Sequence, residues 1–250
     1  MTGQTFDLTH FTIRETTQCG KEIRTMNHAA ASMEEVAGRI VRFLYDSLID
    51  GQTGTRACAL VRLFKTHNYA QLDDGLKMFA VNMLGGEAAE PGMKCLTLLG
   101  TVGENPAWNS QKTSKGHQAI PLPSEKAVNE IPMMRNLIKQ LGISVSQVVK
   151  PDPALMMDME QKTYNVFLVP EAPGSPYIPA QEYFIVPYGI KSVLGFGGML
   201  PSGDIFVIIM FTKVAVLKDT ADLFKTLSLN LKLAILPFEN AVFARGEKME

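Results

Sequence analysis

The stretch from Tyr188 to Lys213, YGIKSVLGFGGMLPSGDIFVIIMFTK, constrains the fold more than any other part of the chain. It joins a glycine cluster, a Pro-Ser-Gly turn and an uninterrupted apolar run from Ile205 to Phe211. A glycine loop that cradles a phosphate leads straight into a helix, whose N-terminal amides and dipole hold the anion. Here the glycines lead to a turn, then to a run with the length and β-branched content of a buried strand. No Gly-Lys-Ser/Thr follows the cluster. The order is strand, turn at Pro201 to Gly203, strand, which is a β-hairpin. Glycines inside its first strand permit a bulge, or the close approach of a neighbouring backbone or ligand. A bulge is the simpler reading.

Around that hairpin the chain alternates helical and extended patterns. Ser32 and Glu35 form a capping box, and Val36, Ile40, Phe43 and Leu44 follow at helical spacing, which predicts a helix over 33–49. Strands are expected at 57–64 and 95–99, with a helix over 72–84 between them that Gly85 and Gly86 close. Ser124 caps a further apolar stripe running to Leu141, in which Pro132 demands a kink or a later start. Pro151 and Pro153 break the chain before a short helix at 154–161. Strands at 164–169 and 183–187 precede the hairpin, and Asp219 is read as the cap of a last helix that Pro237 stops. Residues 1–31 are polar, show no clear period and are expected to be an extended or partly ordered leader. Residues 32–238 read as one domain and 239–250 as a polar tail or linker.

Charge and cysteine usage narrow the function classes. Lys and Arg number 24 against 25 Asp and Glu, with no basic run, so nucleic acid is not the expected partner. The first residues lack the basic start and apolar segment of a secretory signal. The longest apolar run is too short to insert across a membrane. Cys19, Cys58 and Cys95 are odd in number and widely spaced, so no disulfide framework is expected and the chain reads as reduced, soluble and cytoplasmic.

Few residues suggest chemistry. None of His10, His28, His67 and His117 has a partner at metal-ligand spacing. His117 lies with Trp108 in an aperiodic stretch, 104–123, where it could ligate haem iron or another metal, hydrogen-bond an anionic ligand, or simply pack in the loop. No Gly-x-Ser-x-Gly elbow anchors a hydrolase triad. The neighbouring carboxylates Glu34-Glu35 and Asp73-Asp74 diverge on a helix and read as caps and solvated faces. No pattern identifies a cofactor.

Three stretches carry a family resemblance: TLLGTVGENPAWN from Thr97, SKGHQAIPLPS from Ser114 and SPYIPAQEYFIVPYGIKSVLGFGG from Ser175. Together with the strand, turn, strand, helix order of the C-terminal part, they resemble the GAF-like N-terminal input region of bacterial sensor histidine kinases and related signalling proteins. The resemblance covers roughly 33–238. It implies an α+β fold with a central antiparallel sheet flanked by helices, the N- and C-terminal helices packed together. It also implies a non-catalytic sensory or regulatory role, with a small-molecule ligand or a partner and a downstream kinase or other output. The cyclic-nucleotide signature of some GAF domains and the Cys-His pair of bilin-binding ones do not occur here.

Any ligand is expected between the sheet and the 104–123 loop, near Trp108, His117, Tyr188 and Phe196. The competing readings are an enzyme of unrecognised class with that loop as a lid, and a ligand-free dimerisation module. Leu223, Leu227 and Leu231 form one stripe of the last helix, and Leu229, Leu233 and Leu236 a second. A second stripe needs cover, so a homodimer is expected.

Overall fold

The computed structural model of the chain describes residues 4–151 and 164–243. A two-residue strand β1 (Phe6–Asp7) and helix α1 (Ile13–Thr25) come first. Helix α2 (Met33–Ser47) runs directly into β2 (Leu48–Ile49), which pairs in parallel with β1. The strands β3 (Cys58–Asn68) and β4 (Lys94–Gly103) are joined through α3 (Asp74–Met83). Next come β5 (Ala119–Leu122) and the helices α4 (Glu125–Asn129), α5 (Pro132–Leu141) and α6 (Val145–Val149). Strands β6 (Asn165–Val169), β7 (Ser192–Met199) and β8 (Ile205–Thr212) lead to the last helix, α7 (Lys218–Ile235).

Strands β3 to β8 form a six-stranded antiparallel sheet in the order β5-β4-β3-β8-β7-β6. This is the expected α+β architecture, a central antiparallel sheet with helices on it. Every residue of β7 and β8 is buried, because both sheet faces are covered. One face carries α1, α2 and α7, with Val61, Leu63, Phe196, Phe206 and Phe224 in its core. The other face carries α4, α5, α6 and the irregular segments, with Leu60, Phe64, Leu98, Phe167 and Ile209 in a separate core.

Several sequence expectations change. Part of the supposed leader is the helix α1, closed by a Thr12–Glu15 capping box and buried along Thr16, Cys19, Gly20 and Ile23. It packs on α7, where a Cβ on Gly20 would lie 2.6 Å from the Asn230 side chain. The terminal helices do pack together, but α1 rather than the 33–49 helix is the main neighbour of α7. The run 183–187 is no strand. It lies in a π-helical turn, Gln181–Ile185, and the turn after it, with Ile185 N–H donating to Ala180 O at 3.1 Å and Val186 N–H to Gln181 O at 3.0 Å. Its sequence neighbour β7 is flanked by β6 and β8, so no edge there is free to pair with it. Pro132 opens α5 rather than kinking a longer helix. Leu217, not Asp219, is the N-cap residue of α7, and Asp219 sits in the first turn, where its charge suits the helix dipole. The 154–161 helix lies outside the described residues.

The hairpin is tied to the centre of the sheet by Asp204. Its carboxylate accepts from Lys65 Nζ and Lys94 Nζ, each at 2.8 Å, and from Thr66 Oγ1 at 3.2 Å. Thr66 Oγ1 in turn accepts from Ile205 N–H at 2.9 Å. Burial alone would raise the Asp204 pKa, but the two ammonium groups override it and hold the carboxyl below its usual range. The neighbouring His67 is buried, and neither ring nitrogen has a hydrogen-bond partner of good geometry among the described residues. Burial, reinforced by Lys65, pushes its pKa down to about 3.

Two expected outcomes follow from this cluster. Asp204→Asn leaves two buried ammonium groups short of a counter-charge and should cost about 3–5 kcal/mol, read by urea unfolding. An unchanged midpoint would remove the cluster from the stability of the fold. Stability should also fall on acidification. His67 stays neutral in the fold down to about pH 3, whereas the unfolded chain protonates near pH 6.5. Between those values each pH unit should cost up to about 1.4 kcal/mol for this one proton. Asp204 adds a further loss as the pH falls below the usual carboxylate pKa and through its own lowered one. His67→Leu should flatten the upper part of the slope in a urea–pH series.

Candidate functional site

Strand β3 crosses the middle of the sheet, and the alternation of its side chains puts Arg62 on the same face as Leu60 and Phe64. Arg62 is flanked in the ladders by Thr101 of β4 and Ile209 of β8. It is 8% exposed, its Nε has no hydrogen-bond partner, and among the described residues no carboxylate forms an ion pair with it. Burial depresses its pKa to about 10. A cation taken out of water without a counter-charge costs several kcal/mol.

Irregular chain roofs this face. Beyond β4 a short turn, Pro106–Trp108, is capped by the Asn105 side chain. Thr101 Oγ1 donates to Trp108 O at 2.8 Å, and Gly103 N–H donates to Asn109 Oδ1 at 3.0 Å, so the turn is fastened to the strand beside Arg62. Gly103 makes room for the indole, since a Cβ there would lie 2.8 Å from its ring. Trp108 meets Tyr188 at 4.5 Å between ring centroids and Phe184 at 5.3 Å. Asn105 Nδ2 donates to the Tyr188 hydroxyl at 3.1 Å. An ion pair between Glu104 and Lys213 links the same turn to the end of β8.

The residues singled out in the sequence are thus divided. Trp108 and Tyr188 come together. His117 lies farther along the same loop, exposed, with its Nδ1–H donating to Lys115 O at 3.0 Å. Partial desolvation, then the nearby Arg62 guanidinium, lowers its pKa. Phe196 is on the opposite face, fully buried, 5.5 Å from Phe224 of α7. Arg62 was missed because one arginine in an apolar strand has no motif around it. Its only signal was a charge set among the apolar residues Leu60, Val61, Leu63 and Phe64.

The glycines of β7 serve packing. A Cβ on Gly197 would lie 2.2 Å from Phe206 O, and one on Gly195 2.9 Å from Ile208 O, so both let β8 approach. Gly100 does the same for α2, whose Ala37 carbonyl would stand 2.8 Å from an added Cβ. Other chemistry is sparse. Cys19, Cys58 and Cys95 are buried and unpaired, and burial pushes their thiols up to about 12, 12 and 11. Among the described residues no group of three or more His, Cys, Asp or Glu side chains could hold a metal ion. No helix among them is long and apolar enough to cross a membrane. An open groove of about 540 Å³ lies away from the Trp108 turn, between α5, β6 and the start of α7, lined by Gln140, Asn165, Leu168, Lys218 and Asp222.

No family model and no curated protein matches the chain. Among solved structures it is similar to a free methionine-R-sulfoxide reductase from Neisseria meningitidis, solved with its substrate, at 11% identity and a TM-score of 0.46, over 95% of this chain and 99% of that one. It is similar to the GAF domain of a phosphoenolpyruvate-protein phosphotransferase from Coxiella burnetii at 13% identity and a TM-score of 0.42, over 89% and 92%. The phycoerythrobilin-bound GAF domain of a cyanobacterial phytochrome follows at 8% identity and a TM-score of 0.40, over 90% and 97%. Likenesses of this size carry no argument about what this chain does.

The packing role of the glycines has a direct test. Gly197→Ala should destabilise the protein by at least about 1–3 kcal/mol, the usual range for overpacking, because the nearest atom is backbone and cannot step aside. Gly92→Ala, where an added Cβ meets nothing within 4 Å, should change little. Equal thermal midpoints for the two variants would contradict the close approach.

Proposed function

We propose that this chain is a non-catalytic, GAF-like sensory or regulatory domain. It binds a small molecule on the sheet face around Arg62 and passes the change through its terminal helices to a signalling output such as a histidine kinase. The observation that carries the reading is the buried Arg62, unpaired with any carboxylate among the described residues, at the centre of a sheet face partly roofed by irregular chain. Two facts support it. The three stretches that resemble GAF-like input regions fold into the surroundings of that face: the end of β4 with the Trp108 turn, the His117 loop with β5, and the Phe184–Tyr188 roof with β7. The thiols, held far above neutral pH, are poor nucleophiles.

The output route in this reading is α7. Its inner stripe, Leu227 and Leu231, is buried against the sheet, while Leu229 and Leu233 remain 46% and 45% exposed. A second copy covering that outer stripe gives the homodimer through which a ligand-dependent shift reaches the C-terminus.

Both parts have measurable outcomes. Native mass spectrometry of the purified chain should show a co-purifying small molecule, and its removal should change the emission of Trp108, the single tryptophan. A bare mass together with an emission spectrum unmoved by a metabolite library would defeat the sensory reading. Sedimentation should give a dimer that Leu229→Glu/Leu233→Glu converts to monomer. A monomeric parent at high micromolar concentration would remove the dimer.

A further inference from the structure

We propose that the ligand is a small organic monocarboxylate, its carboxylate forked by the Arg62 guanidinium and its apolar or aromatic body laid against Trp108 and Tyr188. This rests on the sensory reading above and specifies its ligand class. The first argument is charge. Arg62 lies nine-tenths buried, and among the described residues no carboxylate is paired with it, so within them its positive charge is uncompensated. A bound anion would turn the desolvation cost of that charge into affinity.

The second argument is the size of the charge. Among the described residues, the titratable group that this guanidinium perturbs is His117, and it stays neutral near pH 7. Desolvation, then Arg62 itself, lowers its pKa and outweighs the hydrogen bond from its Nδ1–H to Lys115 O, which favours the charged form. The lysines of the sheet interior, Lys65 and Lys94, are both engaged by Asp204. One positive charge matches a carboxylate. A phosphate, close to a dianion at neutral pH, would call for a second cation, and among the described residues Lys65 and Lys94 are already held by Asp204.

The third argument is shape. A guanidinium presents parallel N–H donors to a planar carboxylate, a geometry that an ammonium cannot reproduce. Beside it, Trp108, Tyr188 and Phe184 form an aromatic cluster with ring centroids 4.5–6.0 Å apart, anchored to the neighbouring strand by Thr101. The half-buried Trp108 and Tyr188 rings offer an apolar surface within the same roof. Together these groups make a charged end and an apolar end of one site.

The test uses the full chain and four probes in ligand-observed NMR and calorimetry: benzoate, indole-3-acetate, the neutral benzamide and inorganic phosphate. Binding of at least one carboxylate is expected, at least tenfold tighter than benzamide or phosphate, with the preference lost in Arg62→Met. Arg62→Met should also unfold at or above the parent's temperature without ligand, since it replaces an unpaired buried charge by an apolar chain of similar length. Arg62→Lys should keep the charge and lose the fork, with an intermediate affinity. Phosphate binding as tightly as the carboxylates would overturn the class, as would benzamide binding equally well in parent and Arg62→Met. In the benzamide case the small-molecule reading survives and only the anion is lost. Failure of both carboxylates, or an Arg62→Met variant that unfolds well below the parent, would make Arg62 a structural residue. A co-purifying molecule seen by native mass spectrometry would then separate that result from failure of the sensory reading.

Discussion

The fold turns on one buried carboxylate. Asp204 immediately precedes β8 and is gripped by Lys65 and Thr66 of β3 and by Lys94 of β4. These contacts span more than a hundred residues of sequence and fix three strands in register at once. A one-residue slip of β8 would send its side chains to the opposite faces and leave two lysines buried without an anion. The apolar run of the strand cannot set its own register, because nearly every position is equally hydrophobic. The polar cluster supplies the distinction that the hydrophobic pattern lacks.

Strand β3 therefore carries two buried cations with opposite meanings. Lys65 is answered by Asp204, and the pair closes the structure. Arg62, three positions earlier and on the other face, has no such answer within the described residues. A chain that places one buried charge against a partner and leaves another open does so at a cost in stability. In the proposed function a bound ligand meets that cost. The fold separates the two tasks: helices α1, α2 and α7 seal the face of Lys65, while α4, α5 and α6 share the face of Arg62 with turns and loops held by side-chain hydrogen bonds. Irregular roofing is also easier to open than a packed helix, which suits the entry of a ligand.

The same separation links the site to the outside. The Trp108 turn is fastened to β4 by Thr101 and to the end of β8 by the Glu104–Lys213 pair, and α7 begins a few residues later. A change in the roof thus lies a short covalent distance from the helix whose outer leucines are exposed. Gly20 lets α1 lie close to α7, so the two helices at the ends of the domain share one contact surface. That is the physical basis for reading them as the output.

Much of the architecture was legible because local signals agreed. The Pro-Ser-Gly turn between apolar runs specified the hairpin, and Ser32 with Glu35 specified the start of α2, while the stripe after Ser124 left a kink or a later start at Pro132 open until the fold divided it into α4 and α5. The helix α1 was legible too, in its Thr12–Glu15 box and its Thr16, Cys19, Gly20, Ile23 stripe, but small and polar residues hid the stripe from a reading based on large apolar ones. Trp108 and Tyr188 were drawn from a loop and from a supposed strand, and only the fold shows that they touch. Strand identity at 183–187 was decided against local propensity, because the adjacent strand had both edges filled. The faces were decided the same way: Phe196 and Arg62 each stand in a largely apolar strand, and nothing local says which face of the sheet either one meets. Side-chain alternation separates neighbours within one strand, but it does not say which face meets the helices and which meets the roof. That choice depends on contacts between residues far apart in the chain, so the charge state of each face is a property of the assembled sheet.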